Sequence, residues 1–147
     1  MRKQIVIEIL ASLSVFLFLY ASGSKWIAFK TFVDDMNNQP FSNQFTPWLV
    51  WAIPLTEVSI VLLLAFEKTR LIGFGISLAL MLVFTSYSVA VLLHAFKFVP
   101  CSCGGIIKNL TWPQNLLLNL LFVVVSVAGI LLTGNRSADL VKSSSKV

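Results

Sequence analysis

Residues 71–96 read LIGFGISLALMLVFTSYSVAVLLHAF, a run of 26 residues without a single Asp, Glu, Lys or Arg. About 20 apolar residues in a helix are enough to cross the ~30 Å hydrocarbon core of a bilayer. Backbone N–H and C=O groups in lipid must find partners within the protein, so such a run has to be helical. The stretch therefore predicts a membrane-spanning helix.

Three more runs have a similar character, at residues 5–22, 47–66 and 113–133, and Glu8 and Glu57 are their only charged residues. Of the whole chain, 57% is hydrophobic and 12% is charged, whereas soluble domains carry about 25% charged residues. The sequence predicts an all-α, polytopic membrane protein, a single domain of four transmembrane helices at 5–22, 47–66, 71–96 and 113–133. Residues 23–46 and 97–112 would form the outer loops, and 134–147 a flexible cytoplasmic tail.

Basic residues concentrate at one end of this predicted bundle. With the N-terminus in the cytoplasm, seven lysines and arginines flank the helices on that side and four on the other, in line with the excess that cytoplasmic loops carry. The four tryptophans fall near the opposite helix ends, where amphipathic rings favour the headgroup layer. We expect both termini in the cytoplasm, and we interpret the basic residues as surface anchors rather than as a nucleic-acid site.

Other patterns concern how the bundle is built. Apolar residues recur at helical spacing between Trp26 and Met36, which predicts a short helix on the outer surface or a continuation of the first span. Thr111 and Gln114 fit a capping box at the start of the last span. The third span carries small residues on roughly one face, where they would let helices approach closely in lipid. They are Gly75, Ala79, Ser86 and Ala90.

The two cysteines, Cys101 and Cys103, lie in the second outer loop, which the predicted orientation exposes to a compartment where disulfides persist. Residues two apart can form a disulfide only if the chain folds back, which Gly104 and Gly105 permit. The small ring would be strained and easily reduced, and it would stabilise little because it closes a very short loop. The pattern favours a redox-active pair, with an inert or structural pair as one alternative.

Metal binding is the other alternative. Two thiolates suit Cu(I) or Zn, and His94, the only histidine, lies seven residues before Cys101. It could be a third ligand or a proton donor to a leaving thiolate, although a lone histidine at a helix end is more often a satisfied polar residue. Tetrahedral zinc would need a fourth ligand that the sequence does not indicate.

Glu57 lies near the middle of the second span. A carboxylate in the bilayer should face the bundle and be paired or protonated, and such residues are functional candidates. The nearest candidate partner is Lys25, at the end of the first span, so we expect either an ion pair that locks helices or a proton relay. Glu8 lies near the inner helix end, where it can snorkel to the surface.

Asn115 and Asn119 lie one turn apart on the last span, beneath the cysteine loop. They can hydrogen-bond across helices, which contributes about 0.6 kcal/mol on average in membranes. Alternatively, they line a small polar pocket for a quinone head or a substrate.

Several motifs together resemble the MauE/DoxX group of bacterial, redox-associated membrane proteins, over about residues 5–133. The motifs are SGSKW (22–26), PLTE (54–57) and PCSCGGIIKNLTW (100–112), followed by Asn119. The cysteine loop resembles the MauE-type branch in particular. The resemblance implies a four-helix bundle in the bacterial inner membrane that supplies or removes electrons for thiols on the periplasmic side.

By position, the resemblance makes Cys101 and Cys103 the redox pair, and Lys25 and Glu57 the polar positions of the bundle. Asn115 stands where this branch is expected to have a histidine, which leaves His94 as the chain's only imidazole.

Three hypotheses follow. The first is a thiol–disulfide relay that exchanges electrons with a thioredoxin-like protein partner or a quinone. The second is a non-catalytic accessory subunit of a larger membrane complex. The third is copper or zinc handling at Cys101 and Cys103.

Overall fold

The computed structural model describes residues 1–40, 42–95 and 110–145. Its helices are α1 (Arg2–Ile27), α2 (Phe29–Asn37), α3 (Thr46–Ala65), α4 (Arg70–Leu92) and α5 (Trp112–Ser144). Four of them, α1, α3, α4 and α5, are long and apolar enough to cross a membrane. The prediction of an all-α protein with four membrane spans is confirmed.

The helices begin and end at different residues from the apolar runs. α5 has 33 residues, a length of about 50 Å, and continues through Gly134 into the segment that we predicted as a tail. No proline follows Thr133 to stop it, and the Ser137 hydroxyl donates to the Thr133 carbonyl at 3.2 Å. An apolar run marks only the part of a helix that lipid can cover, and the helix itself can extend beyond that run.

The amphipathic segment after α1 forms a separate short helix, α2, rather than a continuation of the first span. The break is at Ala28. Phe32 and Met36 are 1% and 4% exposed and pack against Val50 of α3. α2 thus covers the end of the bundle where α1 ends and α3 begins, which we call the α2 end.

Close packing of α4 relies on a different face from the one that we predicted. Gly75, Ala79 and Ser86 are exposed, so the expected small-residue contact there is wrong. The buried side of the first half of α4 contains Gly73 and Ser77 instead. Both faces carry small residues, and only the shape of the neighbouring helices decides which one is buried.

Two glycines show how the neighbouring helices fit against each other. A Cβ on Gly129 of α5 would lie 2.6 Å from a ring carbon of Phe74 of α4, and one on Gly73 would lie 3.0 Å from the Leu64 side chain of α3. Phe74 is fully buried. The glycines therefore make the room into which large side chains of the next helix pack.

An ion pair joins the other end of the bundle. The Arg70 Nη1 donates to the Glu8 Oε1 at 2.8 Å, and the Arg70 Nε donates to the Leu64 carbonyl at 3.2 Å. Glu8 is about half exposed and Arg70 is buried. Glu8 therefore joins α1 to α4, a contact that we did not predict.

Candidate functional site

The structure brings Lys25 and Glu57 together, as expected. The Lys25 Nζ donates to the Glu57 Oε1 at 2.7 Å, and the two side chains are 4% and 0% exposed. Lys25 lies in the last turn of α1 and Glu57 is the twelfth residue of α3, so the long lysine side chain extends toward the bundle centre. The pair joins the two helices in the buried interior of the bundle, where a lone charge would be costly.

Few other polar groups of the described residues contact this ion pair. The Glu57 Oε2 is buried and, across the described residues, accepts no hydrogen bond. The Lys25 Nζ lies 5.9 Å from the centroid of the Phe32 ring on α2, within the range of a cation–π contact. Desolvation of both charges is thus offset mainly by one short contact between them, so removal of either partner would leave the other charge uncompensated.

A second polar contact at the α2 end involves Gln39 and Tyr87. The Tyr87 hydroxyl donates to the Gln39 Oε1, and the Gln39 Nε2 donates to the Asp35 carbonyl at 3.2 Å. Gln39 is 5% exposed although it follows α2 in sequence. Our sequence reasoning missed both residues. The available signal was that a tyrosine in an apolar span usually has a partner for its hydroxyl.

The start of α5 is fixed by two contacts. The Thr111 N–H donates to the Gln114 Oε1 at 3.1 Å, as half of the predicted capping box. The Trp112 ring packs edge-on against the Tyr87 ring of α4, with centroids 6.0 Å apart. The end of α4 and the beginning of α5 therefore lie side by side at the α2 end.

Asn115 and Asn119 are both 1% exposed and face the bundle interior. Across the described part of the chain, neither Oδ1 atom accepts a hydrogen bond, so the predicted bonds of these oxygens to other helices are not present there. A buried amide oxygen without a donor is costly. The two side chains thus form a polar position one to two turns into α5.

His94 follows α4, where its backbone φ of 54° ends the helix. Its side chain is exposed. Cys101 and Cys103 lie outside the described residues, between Ala95 and Leu110 in the chain. Any contact of His94 with the cysteines, on which the metal and proton-donor alternatives depend, stays a prediction.

Comparisons with known proteins agree with this architecture. The model of one protein family, described as methylamine utilisation protein MauE, matches residues 3–132. Neither a search of curated proteins nor a search of solved structures gave a match. The family match extends from α1 through the apolar part of α5 and so includes all four candidate spans. This chain is therefore a multi-pass membrane protein that belongs to the MauE family.

Proposed function

We propose that this protein is a thiol–disulfide redox protein of the bacterial inner membrane, in which Cys101 and Cys103 exchange electrons with a protein partner or a quinone. The cysteine loop faces the periplasm, where the pair can be reoxidised. This proposal gives the redox context of the MauE family a specific chemical step.

One observation carries the proposal. The Cys-Ser-Cys-Gly-Gly segment lies in the connection between α4 and α5, and the contact of Tyr87 with Trp112 joins these two helices. Both ends of the connection start from packed helices at the α2 end. This contact supports the proposal because it holds together the two helices between which Cys101 and Cys103 lie in the sequence.

The reaction follows from thiolate chemistry. A thiolate of the pair attacks a sulfur of the partner's disulfide, so that an intermolecular S–S bond forms and the partner's other sulfur leaves as a thiolate. The second cysteine then attacks the mixed disulfide and releases the partner as a dithiol. The new bond joins Cys101 to Cys103, and two electrons have passed to the partner. The same steps in reverse oxidise the partner.

Single-cysteine variants test this exchange. With Cys103→Ser or Cys101→Ser, the resolving thiol is missing and a mixed disulfide should accumulate with one of the two variants. Non-reducing electrophoresis of cells quenched with acid and then alkylated would reveal it as a band that reductant removes. Ser102→Ala is the matched control, because it changes the same segment and keeps both thiols.

Other outcomes contradict the proposal. If the double variant Cys101→Ser/Cys103→Ser leaves the redox state of periplasmic thiols unchanged, the relay does not exist. A stoichiometric partner that copurifies equally with the double variant would then favour the accessory subunit. Copper or zinc bound by the purified native chain, and lost from the double variant, would favour metal handling.

A further inference from the structure

A cavity of about 150 Å³ lies between α2, α3 and α4 at the α2 end. Its lining is apolar except at Gln39 and Tyr87, and none of its lining residues in the described part of the chain is charged. The lining residues are Met36, Gln39, Leu49, Ile53, Val83, Phe84 and Tyr87. Val83 is 63% exposed on the lipid-facing side of α4, so the cavity lies beside the surface that contacts lipid.

At the polar end of the cavity, the Gln39 amide has an N–H group that donates to none of the described residues. A glutamine amide carries two N–H groups. Across residues 1–40, 42–95 and 110–145, the Gln39 Nε2 makes one hydrogen bond, to the Asp35 carbonyl. Gln39 is only 5% exposed, so water has little access to the second N–H. A ligand that brings an acceptor oxygen to this end would satisfy it.

Size and polarity restrict the ligand. An apolar protein cavity of about 150 Å³ is large enough to hold a benzene ring. A charged head would have no counter-charge among the lining residues, and an acyl chain would leave the Gln39 donor without an acceptor. A neutral six-membered ring with a carbonyl oxygen meets both conditions, and a hydrocarbon tail could leave past Val83 into the lipid.

We propose that this cavity binds the headgroup of a lipid-borne quinone, which accepts the electrons of the Cys101–Cys103 pair. This inference rests on the function proposed above. In the overall reaction the two S–H bonds break and one S–S bond forms, while the two C=O groups of the quinone become C–OH groups. Two electrons and two protons pass from the dithiol to the quinone. Tyr87, which lines the cavity, also contacts Trp112 directly after the cysteine loop.

Binding is tested first without redox chemistry. The full-length Cys101→Ser/Cys103→Ser variant in nanodiscs is photolabelled with an azido-quinone, with and without excess decylubiquinone, and the labelled peptides are mapped by mass spectrometry. We expect competed labelling of the α3 and α4 peptides that line the cavity. Val83→Phe should weaken competition about tenfold, because it overfills the cavity mouth. Val89→Phe, an equal change on an exposed α4 position outside the cavity, should leave it unchanged.

With the native cysteines, Val83→Phe should slow decylubiquinone-driven thiol oxidation by a similar factor and leave exchange with a soluble dithiol unchanged. Labelling spread over all lipid-facing helices, equal behaviour of the Val83 and Val89 variants, or equal competition by oleate overturns the quinone site. Intact dithiol exchange in that case leaves the proposed function standing. Specific quinone binding without any thiol exchange would contradict both the proposed function and the role of the quinone as electron acceptor.

Discussion

Glu57→Gln tests the most deeply buried charge in the described part of the bundle. The substitution leaves the Lys25 ammonium, 4% exposed, without a counter-charge, and loss of one partner of a buried pair costs about 3–5 kcal/mol. We expect a fall of this size in the free energy of unfolding, measured by SDS titration in mixed micelles. A fall below about 1 kcal/mol would mean that water reaches the pair as it does at a surface salt bridge.

The double variant Lys25→Met/Glu57→Met separates a structural role from a chemical one. Replacement of a buried ion pair by apolar side chains is often neutral or stabilising, so most of the stability lost in Glu57→Gln should return. If thiol exchange also returns, the pair only locks α1 to α3. If the double variant is stable but its exchange rate is low, the proton-relay interpretation is favoured.

Gly129→Ala should destabilise the protein by about 1–3 kcal/mol, the usual cost of overpacking. The new Cβ would lie 2.6–2.7 Å from three atoms of the Phe74 ring, and that ring is fully buried. Gly75→Ala is the matched control, since nothing lies within 4 Å of its Cβ and alanine favours a helix by up to about 1 kcal/mol. Equal unfolding midpoints for the two variants would contradict this packing.

Individual contacts were predictable only where the choice of partners was small. Glu57 needed a cation to pair with inside the bundle, and Lys25 at the end of the first span was the candidate partner that its position in that span suggested, so this contact was predicted correctly. Glu8 lies 62 residues from Arg70, and a carboxylate near a helix end can equally well reach water. Nothing in the sequence selects the ion pair over solvent, so the Glu8–Arg70 contact was missed.

At the scale of helices, the hydroxyls of Ser77 and Ser126 hydrogen-bond at 3.0 Å between α4 and α5. Both residues are fully buried. A double-mutant cycle with Ser77→Ala and Ser126→Ala should give a coupling energy of about 0.6 kcal/mol, the average for such bonds in membranes. Ser59 donates to its own helix at Leu55, so a cycle of Ser59→Ala with Ser126→Ala should give none. Equal coupling in both cycles would contradict the contact.

Helix number and type followed from hydropathy, whereas helix faces and ends did not. Four apolar runs had to be helices because lipid offers the backbone no partners. The buried side of α4 is the side on which Phe74 packs against Gly129 of α5. This contact can be predicted only if both helices are considered together. The cavity beside Gln39 is of the same kind, since α2, α3 and α4 each supply part of its wall.

At the scale of the whole molecule, the two ends of the bundle differ. The α2 end has the Gln39–Tyr87 contact, the Tyr87–Trp112 contact and the start of α5, which follows both cysteines in the sequence. The opposite end has the Glu8–Arg70 pair and the part of α5 beyond Thr133. Thiol chemistry is possible in an oxidising compartment only if the α2 end faces it, so the proposed function depends on how the bundle is inserted.

Cysteine accessibility tests this orientation. In the Cys101→Ser/Cys103→Ser background, Asn43→Cys introduces a thiol in the exposed connection between α2 and α3, and Ser143→Cys introduces one near the exposed end of α5. The bias of seven basic residues against four predicts that a membrane-impermeant maleimide labels the first variant in intact cells and the second only after permeabilisation. Both must label in permeabilised cells, which controls for reactivity. Labelling of only the Ser143→Cys variant in intact cells would put Cys101 and Cys103 on the reducing side, where a disulfide of the pair would not persist.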